Sequence, residues 1–308
     1  MIKGTYIFYE DGKEIYRSSN VITKFGKRFL TNVIAGNVPN DLKDIAIGID
    51  STTATVDDTR LGFEFYRLPV TLNSTDIQTT TGTTYSVVYK TTIPQDIAGT
   101  ISEIGLYPQT RSSVVNFDSK FISDFNNYLN WISYSGYNPI IDTTHQKIGS
   151  NILKMNSNGT SSEEFYTSVN LDLSGYSLND TIRLAYYKYD NNLSNIGIEF
   201  YHTNNDYYLA TITPPSGTGY FISDEITIGS LLQDSVGQAD ASQISKVGII
   251  VTPTSGQSSS IGVDGLRIND EDTFDPIFGL ISRSVLSEPV IKLAGRQVDV
   301  EYKLDLSF

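Results

Sequence analysis

The segment Ile101-Ser-Glu-Ile-Gly-Leu-Tyr107 reads as one strand of a hairpin whose return is missing, and a matching close arrives only at Phe278-Gly-Leu-Ile-Ser-Arg-Ser284. Between them lies a block, residues 116–275, of different composition. The flanks (1–115 and 276–308) carry 15 Lys/Arg against 16 Asp/Glu, whereas the block carries 7 against 19, so −12 of the net charge of −13 resides there. Exposed loop tips are where a chain tolerates an inserted domain. The expectation is a discontinuous domain, 1–115 with 276–308, interrupted by a second domain at 116–275.

A chain of 308 residues can bury two cores. Charged residues make up only 19%, and short β-branched and aromatic runs alternate with Asn, Asp, Gly, Ser and Pro turns, which predicts an all-β protein. The absence of cysteine excludes disulfides and thiolate metal sites. No apolar run reaches the length of a membrane span. The first residues, Met1 to Tyr9, contain no apolar signal region, so neither membrane insertion nor Sec-type export is expected. An acidic chain without a basic stripe is a poor ligand for nucleic acid, where phosphate contacts dominate affinity.

In the flanks, 2–9 and 13–18 read as a hairpin around Glu10-Asp-Gly12. A helix is predicted over 23–36, with apolar residues at Phe25, Phe29, Leu30, Val33 and Ile34, Thr23 as its cap and Gly36 as its stop. Strands follow at 44–49, 64–70, 85–93, 101–107, 278–286 and 297–306. In the last of these Val298, Val300, Tyr302, Leu304 and Leu306 alternate with Asp299, Glu301, Lys303 and Asp305. The block offers closely spaced strand-length runs at 182–189, 196–202, 207–212, 219–222, 247–251 and 261–268, which argue for a jelly-roll sandwich.

Several motifs carry a resemblance when taken in order. Thr23-Lys-Phe-Gly26, Ile45-Ala-Ile-Gly48, the Thr-rich run 51–58, Leu61-Gly-Phe-Glu-Phe-Tyr-Arg67 and Ile101–Tyr107 are followed by Leu280-Ile-Ser-Arg-Ser-Val-Leu286 and Pro289-Val-Ile-Lys292. Together these flanks, about 145 residues, resemble the small β-domain of tailed-phage tail-fibre, baseplate and related virion proteins. The block resembles a carbohydrate-binding jelly roll through Asn116-Phe-Asp118, Trp131-Ile-Ser-Tyr-Ser-Gly136, Ser245–Val251 and Gly262-Val-Asp-Gly-Leu-Arg267. The resemblances imply a small β-sandwich domain with one helix that docks to other virion proteins and to copies of itself. It would be interrupted by a jelly roll that contacts host-surface polysaccharide, in a protein made in the host cytoplasm and assembled into the virion.

Catalytic residues are not indicated. The two histidines, His145 and His202, belong to no metal or triad motif, and no nucleophile elbow or phosphate loop occurs. Candidate glycan contacts are Trp131, Tyr134, Tyr187, Tyr207 and Tyr208, because aromatic faces stack on sugar rings. The same residues are also what fills a sandwich core, so both readings stand. Adjacent tyrosines on a strand point to opposite faces, so one of each pair should be outward. No cofactor is required. A structural Ca²⁺ could be held by Asp118, Asp270 and Asp272, which lie at the two ends of the block, with Asp264 added by the resemblance alone. A purely architectural capsid-decoration or tail-collar protein is the alternative, and a polysaccharide depolymerase using two carboxylates is the third.

Overall fold

The computed structural model describes residues 2–37, 43–76, 84–108, 120–126, 128–136, 138–157, 161–269 and 279–307. The chain divides into two compact units, Met1–Phe117 with Thr273–Phe308, and Asp118–Asp272. Both are built from antiparallel strands, and α-helix among the described residues is confined to Lys24–Ile34 and Ile228–Gln233.

The nine strands of the split unit run in the spatial order Lys13–Ser19, Ile2–Glu10, Val298–Ser307, Thr84–Ile93, Glu64–Asp76, Lys43–Gly48, Gly99–Pro108, Ser282–Lys292 and Val21–Ile22. Two corners fold this sheet into a sandwich. Residues 64–70 of the long strand Glu64–Asp76 pair with Lys43–Gly48, and residues 71–76 pair with Thr84–Ile93. At the other corner Lys13–Ser19 pairs with Ile2–Glu10, while the next strand, Val21–Ile22, pairs with Ser282–Lys292. The Tyr6 hydroxyl consequently reaches Ser282 Oγ at 2.8 Å although their strands are not neighbours. In Val298–Ser307, Val298, Val300 and Tyr302 are buried and Asp299, Glu301 and Lys303 are partly exposed, as the period of two requires. The first hairpin turns through Asp11 and Gly12, both at positive φ (50° and 73°), the geometry of a tight two-residue turn.

The helix Lys24–Ile34 begins where the expected cap lies. Thr23 accepts from the Gly26 amide at 2.9 Å, and Gly36 ends the helix at φ 73°. The Thr23 amide donates to the Ile281 carbonyl at 3.1 Å, and its hydroxyl donates to that of Leu280. A Cβ at position 26 would stand 2.0 Å from the Ile281 oxygen, so the helix can start against the returning chain only with glycine there.

The second unit is a jelly-roll sandwich. One sheet has the order Ile140–Asp142, Ile152–Asn156, Ser260–Asn269, Thr181–Lys188, Gly219–Ile222, with Lys120–Ser123 and Ile226–Thr227 added at Ser260–Asn269 and Thr181–Lys188. The other has the order Ser235–Val236, Tyr207–Ile212, Leu193–Tyr201, Ile244–Pro253, Glu163–Leu171, Ile132–Ser133. Between them Leu153, Phe165, Leu184, Ile198, Phe200, Val247, Ile249, Val263 and Leu266 form one core. The short helix Ile228–Gln233, capped by Thr227 and seated through Ile228 and Leu231, went unanticipated because six residues are too few to display a 3.6-residue period.

Candidate functional site

Alternation along the six-stranded sheet sends Phe165, Phe200, Val247, Ile249 and Tyr208 into the core and their neighbours outward. Strand register then arranges the outward residues in three rows. The first is Glu164, Ile250, Gly197, Thr211; the second is Ile132, Tyr166, Gly248, Glu199, Leu209; the third is Ser168, Lys246, Tyr201, Tyr207, Val236. Tyr134 joins this face from just beyond Ile132–Ser133, with its ring 4.5 Å from that of Tyr166.

The rows gather four tyrosine rings around one ammonium group, with Tyr201, like Glu199, buried beneath the others at 5% and 6% exposure. Lys246 Nζ lies 3.9 Å from the Tyr201 ring centroid, 4.5 Å from that of Tyr166 and 5.0 Å from that of Tyr134. It donates to the Tyr134 hydroxyl at 2.5 Å and to Asn204 Oδ1 at 3.4 Å. Tyr207 continues the surface, its ring 5.1 Å from Tyr201. Gly248 lets Glu164 and Tyr201 pack over the strand between them, since a Cβ there would meet Glu164 Oε1 at 2.6 Å and Tyr201 Cε2 at 3.3 Å.

Two carboxyls meet at one phenol beside Gly248. The Tyr201 hydroxyl lies 2.7 Å from Glu164 Oε1 and also contacts Glu199 Oε2. Burial raises both carboxyls above the usual glutamate range, partly offset by Tyr201 and by Lys246. Burial and the two carboxyls hold the Tyr201 phenol firmly protonated. What the face offers is flat rings, acceptor oxygens and one donor cation.

The residues singled out in the sequence are distributed over different surroundings. Tyr134 and Tyr207 belong to this face. Tyr208 points inward and donates to the Ala239 carbonyl at 2.8 Å. Trp131 is 3% exposed, with its ring stacked on Phe125 at 4.8 Å, so the core occupies the faces a sugar would need. Tyr187 lies on the outer face of the other sheet, where His145 covers it at 4.1 Å and bonds Asp142 at 2.7 Å. Asp264 is buried on that sheet, accepting from the Lys147 and Ile148 amides at 2.7 and 3.0 Å and from the Tyr220 hydroxyl at 2.5 Å. Asp118, Asp270 and Asp272 lie outside the described residues. Among the described residues no three His, Asp or Glu side chains are placed to hold a metal.

Tyr166, Tyr201, Lys246, Glu164 and Glu199 were not singled out in the sequence. The triplet Glu-Phe-Tyr occurs at 164–166 and 199–201 but also at 64–66 in the other unit, so it does not by itself mark this face.

No family model matches the chain, and no curated protein matches it. Among solved structures the chain is similar to the family 11 carbohydrate-binding module from Clostridium thermocellum in complex with a β-1,3-1,4-mixed-linked tetrasaccharide, at 20% identity over 49% of this chain and 95% of that one, TM-score 0.36. It is also similar to the family 30 carbohydrate-binding module of a cellulosomal cellulase of Clostridium thermocellum, at 15% identity over 47% and 93%, TM-score 0.36. An exo-β-agarase is matched at 14% identity over 50% of this chain and 25% of that one, TM-score 0.40.

Proposed function

We propose that the unit Asp118–Asp272 binds carbohydrate on the outer face of its six-stranded sheet, without catalysis. The observation that carries this is the cluster of Tyr134, Tyr166 and Tyr207 rings with Lys246 and Glu164 on the outer face, laid over the buried Tyr201 and Glu199. Rings supply the apolar contact for sugar faces, and the carboxyls, ammonium and phenols supply acceptors and donors for hydroxyls. The wider reading is a tailed-phage virion structural protein. Its split unit docks to other virion proteins or copies of itself and carries the acidic unit to the host surface, where many weak contacts add up to adhesion. The ordered motifs of the flanks support it.

The test is binding of the full-length chain to host cells and to a glycan array, with Tyr166→Ala and Tyr207→Ala variants alongside. Saturable binding lost in both variants supports the reading; absence of binding by a folded, multivalently displayed chain overturns it. One observation favours a purely architectural role instead: Ile132, 51% exposed, and Tyr134, 57% exposed, stand side by side at the edge of the same face, as a protein partner would use them.

A further inference from the structure

Resting on that reading of the site, we infer that the ligand is an uncharged, hydroxyl-rich polysaccharide and that acidic polysaccharides are excluded. Across the three outward rows Lys246 is the one basic side chain, set against Glu164 and Glu199. Its ammonium is already engaged by three rings, by the Tyr134 hydroxyl and by Asn204. With both glutamates ionised the face carries −1, and with a proton between them it is neutral; in neither state does it present a net positive charge. The block 116–275 around it carries −12. A uronate, sialate or phosphate on the ligand would meet this field where the one ammonium of the three rows is already engaged, whereas hydroxyls find an acceptor in Glu164 and donors in the Tyr166 and Tyr207 phenols. Like-charge rejection of this kind sets specificity as firmly as attraction does.

The experiment is affinity electrophoresis of the full-length chain in gels containing uncharged polymers (glucans, mannans, galactans) or polyanions (alginate, hyaluronate, polygalacturonate), at low and high salt. At least one uncharged polymer should retard the chain equally at both salt levels, and no polyanion should. The Glu164→Gln/Glu199→Gln double variant keeps the shape of the face and turns its charge positive. It should gain about tenfold or more in retardation by polyanions at low salt. Retardation of the wild-type chain by a polyanion, suppressed by salt and by Lys246→Gln, would overturn the inference while leaving carbohydrate binding intact. Absence of retardation by either class overturns the carbohydrate reading itself.

Discussion

Arg283 and Glu103, 180 positions apart, form a buried ion pair, with Nη2 2.8 Å from Oε2 and Nε donating to the same oxygen at 2.9 Å. The pair seals the split unit. Gly99–Pro108 and Ser282–Lys292 are antiparallel neighbours, with Arg283 opposite Gly105, so the inserted unit occupies what would be their hairpin loop. Glu103 also accepts from the Gly62, Phe63 and Asp50 amides, and Arg283 reaches Asp58 and Asp50. Burial still pushes the Glu103 carboxyl up, against the pull of the guanidinium and the amides.

Arg283→Met should therefore cost about 3–5 kcal/mol, because it strands a buried carboxylate, and Glu103→Gln in the same chain should restore part of it. The sole tryptophan, Trp131, belongs to the other unit, so fluorescence and far-UV circular dichroism separate the two unfolding transitions. The part of the dichroism transition that fluorescence does not follow should shift while the fluorescence midpoint stays in place.

Trp131→Ala should destabilise the inserted unit by roughly 3–5 kcal/mol, since it empties a core position stacked on Phe125. Any loss of sugar binding in that variant should track unfolding in a urea titration. Tyr207→Ala, on the surface, should move the midpoint little.

Burial pushes the Asp264 carboxyl from 3.8 up to about 7. A folded pKa above the unfolded one means that the contribution is complete below about pH 4 and is lost as pH rises through about 7, on the order of 4 kcal/mol in all. Urea midpoints of the fluorescence transition should decline over this window in the wild-type chain and much less in Asp264→Asn. Asp142, held down at about 2 by Tyr189 and His145 against burial, acts in the opposite sense, losing its contribution between about pH 4 and 2.

Gly248→Val should push aside Glu164 and Tyr201, which already cover that position. It crowds Glu164 Oε1 and the buried Tyr201 ring, which hydrogen-bond each other, so stability should fall by about 1–3 kcal/mol, the range of overpacking. Sugar affinity, measured by calorimetry, should fall at least tenfold.

Much of this fold is legible because its signals are local. The alternation from Val298 to Leu306, the Thr23 cap and the Gly36 stop each lie within one element and depend on nothing distant. The face of the inserted unit is different in kind. Tyr187 and Tyr207 look equivalent in the sequence, as members of Tyr-Tyr pairs, yet Thr181–Lys188 and Tyr207–Ile212 join different sheets. Which sheet a strand enters is decided by pairing with partners far along the chain, and no local pattern encodes it. Lys246 acquires its role only once Ile244–Pro253 lies between Glu163–Leu171 and Leu193–Tyr201. Trp131 resolves toward the core because Phe125 covers it.

The account turns on which surface of the inserted unit meets sugar. The deciding measurement is the affinity of the full-length chain for a bound polysaccharide in three forms: wild type, Tyr166→Ala/Tyr207→Ala on the six-stranded sheet, and Tyr187→Ala on the opposite sheet. The account predicts a loss of about tenfold or more, on the order of 1.4 kcal/mol, in the double variant and unchanged affinity in Tyr187→Ala. Undiminished binding by the double variant, or a loss confined to Tyr187→Ala, would contradict it.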